Sequence, residues 1–255
     1  MEERKEMTVD ALKVKVYDTR QQMGDHAAHD VIAKIKELLG QQALVNIIFA
    51  AAPSQNEFLD TLAQAEDVEW NRVNAFHMDE YIGLEREHPE RFSNFLKERI
   101  FDRVPLHQVY YLNNNGLDPD AESQRYTELL KAFPVDIVCM GIGENAHVAF
   151  NDPHVADFND PLWVKTVELE EASRQQQVHD NCFASIAEVP VSAITLTVPA
   201  LLQAAFIYCI VPGANKAEAV SHTLHGPIQE QYPSTILRKH PHAVLYLDTD
   251  SAAKI

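Results

Sequence analysis

The sequence predicts an α/β fold in which helices cover both faces of a mostly parallel sheet. Short apolar runs alternate along the chain with segments of helical periodicity, which is typical of successive βαβ units. Some runs, such as IVCM at 137–140, are apolar without alternation, as expected for strands buried on both faces. No repeat, low-complexity tract or linker rich in Gly, Ser or Pro divides the 255 residues. We therefore expect a single Rossmann-like, doubly wound domain over residues 1–255.

The same patterns locate the individual elements. Nine strands are predicted, at 12–17, 43–50, 73–78, 109–112, 135–142, 163–169, 194–198, 206–211 and 243–247. Helices are predicted at 26–39, 56–64, 89–102, 119–132, 215–224 and 233–240. The polar stretches 154–160 and 173–188 are the most irregular, and we interpret them as a lid or a site loop.

The charge balance excludes one class of partner. The chain carries 21 Lys and Arg against 38 Asp and Glu, a net charge of −17. Nucleic acids are bound by clustered Lys and Arg, so we expect no nucleic acid partner. A small anion is not excluded, since one lysine and a helix N-terminus can create local positive potential. Residues 1–10 lack the apolar core of a signal peptide, and no apolar run reaches the roughly 18 residues of a membrane helix, so we expect no membrane partner.

Cysteine and glycine usage predicts a cytoplasmic chain without metal or cofactor. Three cysteines cannot all pair, and their spacing fits no zinc template. Cys139 and Cys209 lie inside apolar runs and are predicted to be buried free thiols. Neither GxGxxG nor GxxxxGK[ST] occurs, so neither of these nucleotide-binding loops is present.

Ligands of doubly wound sheets bind beyond the carboxyl ends of the strands, where the strand order reverses. We therefore look for site residues just after positions 49, 78, 142 and 211. Asp79 and Glu80 follow the strand predicted at 73–78. One of these carboxylates would serve the site and the other the scaffold; an ordinary acidic turn explains them equally well.

A second polar segment, 143–153, follows the strand predicted at 135–142. Gly143 permits a tight turn and the close approach of backbone to a ligand. His147 and Asp152 bracket an apolar segment, and a histidine with a nearby carboxylate can act as a general acid or base near neutral pH. The alternative is a structural histidine bonded to a backbone carbonyl.

Two further strands run into loops that precede helices. Lys216 lies in the loop after 206–211, where a helix N-terminus and a cation together suit an anion; a solvated lysine at an ordinary junction is the alternative. Ser54 lies in the loop after 43–50, where Ser54 or Asn56 can equally be a plain N-cap.

These segments, in this order, resemble the glucosamine-6-phosphate deaminase family, which shares its fold with the 6-phosphogluconolactonases. The most specific are FHMDEYIGL at 76–84 and GIGENAHVAFNDP at 141–153. Supporting matches are HPERFSNFL at 88–96, VPVSAITLTVPALL at 189–202, PGANKAEA at 212–219 and the HP pair at 240–241. The resemblance covers residues 43–255, and its two most specific elements together are a strong signal.

The resemblance implies an enzyme that opens the ring of an amino-sugar phosphate, moves a proton between carbons 2 and 1, and releases ammonia to leave a ketose phosphate. Asp79 would be the proton shuttle, because one carboxylate must reach both carbons. His147 would open the ring, with Asp152 orienting it. Lys216 would meet the phosphate. No metal is needed if protein donors stabilise the oxyanion. Homo-oligomers are common in the family, so the resemblance also implies a homo-oligomer.

The chain departs from the family pattern beside the histidine. The family usually has an aspartate two residues before the histidine, where this chain has Asn145. We keep Asn145 in the predicted catalytic set, although it lacks the charge that would raise the pKa of His147. The family's glycine before the histidine is Ala146, whose methyl group we expect near the substrate.

The segments in which the family binds phosphate depart further from the family pattern. The usual loop rich in Gly and Thr is replaced by AAAPSQN at 50–56, so Ser54 and Gln55 become the predicted binding residues, together with Gly143. A family arginine that holds phosphate falls near position 180 or 181, where this chain has no arginine. Arg174 is the predicted substitute.

Two other functions stay open at this point. One is lactone hydrolysis on the same fold, with His147 as the base for an attacking water. The other is a sugar-phosphate sensor that keeps the pocket without turnover. The retained Asp79 and His147 argue for the enzyme, because a sensor needs no proton shuttle.

Overall fold

A computed structural model of the protein describes residues 5–112 and 118–255. Its main sheet has eight strands in the order β1-β2-β11-β10-β7-β3-β4-β6, all parallel except the β1–β2 hairpin. These strands are β1 (Lys5–Val9), β2 (Leu12–Tyr17), β3 (Val45–Phe49), β4 (Val73–His77), β6 (Gln108–Tyr110), β7 (Ile137–Met140), β10 (Phe206–Val211) and β11 (Ala243–Asp248). The predicted doubly wound, mostly parallel sheet is confirmed.

A second, antiparallel sheet of three strands lies beside the carboxyl ends of the first. Its order is β5-β9-β8, with β5 at Asp79–Tyr81, β8 at Val164–Glu168 and β9 at Ser192–Leu196. The helices are α1 (Arg20–Leu39), α2 (Asn56–Leu62), α3 (Phe92–Leu96), α4 (Pro119–Ala132), α5 (Glu171–His179), α6 (Val198–Leu202) and α7 (Ala217–His225). No helix in the described part of the chain is long and apolar enough to cross a membrane.

Two apolar cores cover the two faces of the main sheet. Alternate residues of one strand point into different cores: in β7, Ile137 and Cys139 join the core under α1 and α2, while Val138 and Met140 join the core under α4 and α7. This explains why β7 is apolar without alternation. Cys139 and Cys209 are free and buried in strands, as predicted.

Helix α1 begins six residues earlier than predicted. Thr19 forms a capping box with Gln22, which satisfies backbone N–H groups at the first turn. Gly24, inside the helix, marks the crossing with α2: a Cβ there would lie 2.7 Å from the Cβ of Glu57. The glycine that weakens the helical pattern is therefore required by close packing.

Several other elements differ from the predictions. The segment predicted as a helix at 89–102 is α3 followed by a π-helical turn at Lys97–Phe101, and the one at 233–240 is a 3-10 helix at Pro233–Lys239. The short strands β1 and β5 were not predicted. The stretch 173–188 is not wholly irregular, because most of α5 lies within it. Helix α5 turns polar side chains inward, so it lacks the apolar periodicity that predicts a helix.

Candidate active site

A cleft lies beyond the carboxyl ends of β3, β4, β7 and β10. The strand order reverses between β3 and β7, so the cleft occupies the position expected for a doubly wound sheet. Its lining includes six of the nine predicted site residues: Ser54, Gln55, Asp79, Gly143, His147 and Lys216. The rings of Phe92 and Phe150 form an apolar wall.

The adjacent carboxylates Asp79 and Glu80 point to different environments, because successive residues of β5 face opposite sides. Asp79 lines the cleft and is 7% exposed. Glu80 is fully buried and accepts backbone N–H groups of Phe92 and Ser93 at 3.1 and 2.9 Å, at the start of α3. Asp79 therefore belongs to the cleft and Glu80 to the scaffold, which excludes an ordinary acidic turn.

Burial makes the carboxyl group of Asp79 easier to protonate. Loss of solvent raises the pKa of its carboxyl well above the ordinary value of 3.8, and the neighbouring charge of Glu80 raises it further. A carboxyl group whose pKa moves toward neutrality can both accept and return a proton at neutral pH.

His77 holds the backbone of Asp79 and takes no part in proton transfer. Its Nδ1 lies 2.9 Å from the carbonyl oxygen of Asp79, and its Nε2 lies 2.9 Å from the backbone nitrogen of Leu112. The carbonyl requires a proton on Nδ1, and the N–H of Leu112 requires a lone pair on Nε2. The buried ring is therefore neutral, consistent with the lowering of its pKa by burial.

His147 presents one nitrogen to a cluster of acceptors. Its Nδ1 lies 2.7 Å from Asn145 Oδ1, 3.0 Å from Ser173 Oγ and 3.1 Å from Asp152 Oδ1. Because an amide oxygen and a carboxylate surround Nδ1, the neutral ring carries its proton there and leaves Nε2 as the acceptor. A structural histidine bonded to a backbone carbonyl is excluded.

Asp152 is the buried carboxylate of this cluster. Burial alone would raise its pKa, but the hydrogen bond and charge of His147, with hydrogen bonds from Asn145 and Ser173, outweigh burial and hold the pKa well below 3.8. Its other oxygen accepts the backbone N–H of Glu170 at 3.1 Å. Asp152 is therefore ionised and fixed, as an orienting residue requires.

Asn145 uses all four hydrogen-bonding positions of its amide. Oδ1 accepts the backbone N–H of His147 at 3.2 Å and the Nδ1–H of the same residue. Nδ2 donates to Asp152 Oδ1 at 3.0 Å and to Glu170 Oε2 at 2.8 Å. The two carboxylates accept only, so the amide cannot rotate by 180°.

Gly143 makes room for the histidine itself. A Cβ at this position would lie 2.1 Å from Cε1 of His147 and 2.2 Å from Nδ1. Ala146 corrects an expectation: it is fully buried in the core under α4 and α7 and does not line the cleft, so its methyl group is not near the substrate. Its φ of 68° lies in the left-handed region, which explains why glycine suits this position.

Lys216 follows β10 and Asp79 follows β4, the two outer strands of the four whose ends border the cleft. Lys216 is 4% exposed and not solvated. Burial lowers the pKa of its ammonium group, while Asp180 and Glu144 act in the opposite direction. Among the residues that the structure describes, none pairs with its Nζ within 4.0 Å. A buried, unpaired cation is costly unless an anion meets it.

Ser54 and Gln55 lie in the 3-10 turn Pro53–Gln55 that precedes α2, and neither caps the helix through its side chain. Gln55 is 1% exposed, and its Nε2 donates to Ser54 Oγ and to the carbonyl of Ile210, both at 3.1 Å. Ile210 fixes the amide orientation, and Oε1 is left buried without a donor. An orphaned acceptor in a cleft is suited to a ligand that brings an O–H or N–H group.

The structure does not bring Arg174 to the cleft. Its Nη2 donates to the carbonyls of Ile186 and Val189, at 2.6 and 3.0 Å, so it fixes the loop after α5. Gln176 and Gln177 of the same helix line the cleft instead. The stretch 173–188 was predicted as a lid or a site loop, but the sequence did not single out these two glutamines, Ser173 or Glu170 within or beside it. The available signal was the run of good helix formers at 171–177.

Three side chains of the kinds that bind metal ions lie close together. Ligand atoms of Asp152, His154 and Glu170 lie within 4.8 Å of one another. Both oxygens of Asp152 already accept hydrogen bonds, and His154 Nε2 lies 3.1 Å from the carbonyl of Glu168. These atoms are engaged within the protein, so the group does not fit a metal site.

A second groove lies between the β1–β2 hairpin and α1. Two of its charged groups pair with each other: Asp30 accepts a hydrogen bond from Lys15 at 2.5 Å, and it also accepts one from Tyr246 at 2.6 Å. The groove includes none of the predicted site residues. The chemistry therefore belongs to the cleft at the strand ends.

Comparison with known proteins agrees with this geometry. Residues 18–246 match the family described as glucosamine-6-phosphate isomerases/6-phosphogluconolactonase. The chain is 36% identical over 184 residues to a glucosamine-6-phosphate deaminase of Exiguobacterium sp., covering 72% of this chain and 70% of that one. It is also 36% identical over 181 residues to the deaminase of Bacillus cereus, covering 71% of this chain and 67% of that one.

Solved structures give the same result for the fold. A monomeric glucosamine-6-phosphate deaminase superposes with a TM-score of 0.87 at 27% identity, covering 95% of this chain and 99% of that one. A 6-phosphogluconolactonase from Thermotoga maritima has a TM-score of 0.76 at 17% identity, covering 95% of this chain and 100% of that one. The second likeness shows a shared fold alone.

Proposed function

Since the chain belongs to the family of glucosamine-6-phosphate isomerases and 6-phosphogluconolactonases, we propose that it is an enzyme that deaminates an amino-sugar phosphate. One observation carries the choice within the family. Asp79 and His147 line the same cleft, the first with a raised pKa and the second with its Nδ1 held by Asn145 and Asp152. Moving a proton between two carbons requires such a carboxylate, in addition to the histidine that opens the ring.

His147 begins the reaction at the sugar ring. Its Nε2 takes the proton of the anomeric hydroxyl and returns it to the ring oxygen, which opens the ring to the aldehyde. Asp152 and Asn145 hold Nδ1 throughout and stabilise the imidazolium that forms between the two transfers.

Asp79 then moves the proton between carbons. It removes the proton from carbon 2, and the electrons pass to the carbonyl oxygen, which takes a proton from the ammonium group of the substrate to give an enediol-like enolamine. It returns the proton to carbon 1, which leaves an imine at carbon 2. Water adds to the imine and ammonia leaves, so one water enters and one ammonia departs for each ketose phosphate formed. The apolar wall of Phe92 and Phe150 limits solvent at the reacting carbons.

The phosphate would lie at the Lys216 end. Lys216 supplies the charge, and Ser54 and Gln177 supply uncharged polar groups. Gln55 Oε1 would accept a hydrogen bond from a hydroxyl of the substrate, because a phosphate dianion has no proton to donate. This arrangement uses one cation where a guanidinium–lysine pair would use two.

The decisive experiment offers the purified protein glucosamine-6-phosphate and measures ammonia together with ketose phosphate. We expect both products in equal amounts. Release of acid from 6-phosphogluconolactone without any ammonia would instead make the protein a lactonase. Thermal stabilisation by the sugar phosphates without product would make it a sensor.

Assembly and location stay predictions. A homo-oligomer is expected from the resemblance, although one similar structure is that of a monomeric deaminase; sedimentation velocity measures the state directly. Three free cysteines, two of them buried in strands, suit the reducing conditions of the cytoplasm. Fractionation of the source cells tests that location.

A further inference from the structure

We propose that Glu170 is a positioning residue that supplies negative charge to His147 through the side-chain amide of Asn145. The expected effect on catalysis rests on the proposed function, whereas the expected effect of Glu170 on the His147 ring does not. Glu170 occupies the N-cap position of α5 and is half-buried. It does not line the cleft.

The contact geometry makes a continuous chain from Glu170 to the ring. Glu170 Oε2 lies 2.8 Å from Asn145 Nδ2, and Asn145 Oδ1 lies 2.7 Å from His147 Nδ1. A carboxylate that accepts from the N–H of an amide polarises it, which makes the amide oxygen a stronger acceptor. A stronger acceptor at Nδ1 stabilises the imidazolium form of His147.

Glu170 also contacts Asp152, the carboxylate beside His147 Nδ1. Its backbone N–H donates to Asp152 Oδ2 at 3.1 Å, while the opposite oxygen of Asp152 receives Asn145 Nδ2 at 3.0 Å. A single residue at the start of α5 therefore fixes both groups that surround Nδ1. The uncharged Asn145 has a purpose here: its NH₂ group separates two carboxylates that would otherwise repel each other.

Of the other charged groups near His147, Asp152 also accepts from the Asn145 amide, since its Oδ1 lies 3.0 Å from Nδ2. Asp152 contacts Nδ1 directly at 3.1 Å. Glu144 points its carboxylate to Asn215 and His179, at 2.8 and 3.3 Å. Asp79 and Lys216 line the same cleft, the first with a raised pKa after β4 and the second after β10. Any measured effect of Glu170 must therefore be separated from that of Asp152.

The first test compares Glu170→Gln with Glu171→Gln. Glutamine keeps an oxygen that can accept from Asn145 and removes only the charge. Glu171 is exposed in the first turn of the same helix and provides the matched control. The measurement is an NMR titration of the His147 ring nitrogens in the folded protein without substrate. We expect E170Q to lower the His147 pKa by about one pH unit and E171Q to leave it unchanged.

The same variants have a kinetic signature. A lower His147 pKa moves the acidic limb of the kcat/KM profile to lower pH, because a larger fraction of His147 then stays unprotonated at a given acidic pH. We expect kcat on the plateau to fall several-fold, with KM nearly unchanged. A purely structural role for Glu170 would reduce activity at every pH without moving the limb. An unchanged titration and an unmoved limb in E170Q overturn the proposal.

A double variant provides an independent test. Asn145→Asp alone places three carboxylates together, so we expect a large loss of activity. Adding E170Q returns the cluster to two carboxylates, and we expect the double variant to be more active than N145D. The second substitution would then help in one background and harm in the other, which independent structural defects do not do. If E170Q lowers activity equally in both backgrounds, the relay is refuted.

The experiments distinguish failure of the proposed function from failure of the role proposed for Glu170. If no variant releases ammonia but E170Q still lowers the His147 pKa, the relay stands and the activity is wrong. If the wild type is active while the titration of E170Q matches that of E171Q, the activity stands and the relay is wrong.

Discussion

The two ends of the cleft differ in how completely their polar groups are satisfied. Around His147, Asn145 makes four hydrogen bonds and Asp152 accepts on both oxygens. At the other end, Gln55 Oε1 is buried without a donor and Lys216 Nζ has no partner among the described residues. The catalytic end is therefore complete before a ligand arrives, whereas the binding end is completed by the ligand.

This difference separates two kinds of energetic role. A preorganised network holds reacting groups at the correct geometry and does not reorganise during the reaction. An unsatisfied site carries a cost in the free protein that ligand binding removes. Substitutions at the catalytic end should therefore act on kcat, and substitutions at the binding end should act on KM and on the stability of the free protein.

The largest effect is expected for Asp79→Asn. Without a carboxylate to carry the proton, we expect kcat to fall by about 10³-fold or more while the substrate still binds. The stability should change in the opposite direction. Since the folded state raises the pKa of Asp79, stability is lost as the pH rises above 3.8 toward the folded pKa, and asparagine removes this loss.

Urea unfolding and steady-state kinetics check both parts of this prediction. We expect D79N to be more stable than the wild type at pH 7.5, with a smaller difference at pH 5. Full activity of D79N would refute the shuttle role. A variant that is both inactive and less stable would show that Asp79 is needed for folding.

A smaller but still large effect is expected for Gly143→Ala. The added Cβ would lie 2.1 Å from the His147 ring, so the imidazole must leave its place among Asn145, Ser173 and Asp152. Displacement of a catalytic group by about 1 Å costs on the order of 10²-fold in rate. We expect kcat to fall by this amount with a modest change in KM.

Gly141→Ala is the matched control for this variant, since its Cβ would meet Nε2 of Gln55 at 3.2 Å and not the His147 ring. The comparison predicts a kcat defect in G143A and mainly a KM defect in G141A. Equal kcat values in the two variants would contradict the packing argument.

The catalytic end was also the more predictable from the sequence. Asp79, His147 and Asp152 follow or flank strands at a sheet edge, and their spacing was visible in the chain. The contributions of Gln176, Gln177, Ser173 and Glu170 were not, because a helix that buries amides and hydroxyls has no apolar periodicity. Whether Arg174 faces the cleft or a loop is decided by tertiary packing that one sequence does not contain.

Backbone conformation was similarly hidden. The left-handed φ of Ala146 and the mutual contact of Gly143 and His147 arise from a turn whose geometry depends on both segments. The sheet itself was predictable, because strands buried on both faces have a strong compositional signal. The short strand β5 was not, since its three residues include two carboxylates.

Lys216→Met tests the binding end through its charge. Removal of a cation that meets the phosphate should raise KM about 10- to 100-fold, with kcat little changed. Because burial lowers the pKa of Lys216, the unfolded chain binds this proton more tightly than the folded protein does. The wild type should therefore gain stability as the pH rises toward 10.5, and K216M should lack this gain.

Denaturation at pH 7.5 and pH 10 separates these effects from general damage. The control is Lys239→Met, at the end of the 3-10 helix Pro233–Lys239, outside the cleft. A KM for K216M equal to that of the wild type would place the phosphate elsewhere.

The smallest effect is expected for Gln55→Leu, which removes the orphaned acceptor. If Oε1 receives a hydroxyl of the substrate, the loss of one neutral hydrogen bond should raise KM about 3- to 10-fold. Removal of Oε1 should not lower the stability of the free protein, because this buried oxygen has no donor in the absence of ligand. Removal of Nε2 should lower the stability modestly, because the bond to Ile210 is lost. Gln203→Leu, an exposed glutamine after α6, controls for the substitution itself. An unchanged KM in Q55L together with lower stability would show that Gln55 only joins the turn before α2 to β10, and the two ends of the cleft would then differ in charge alone.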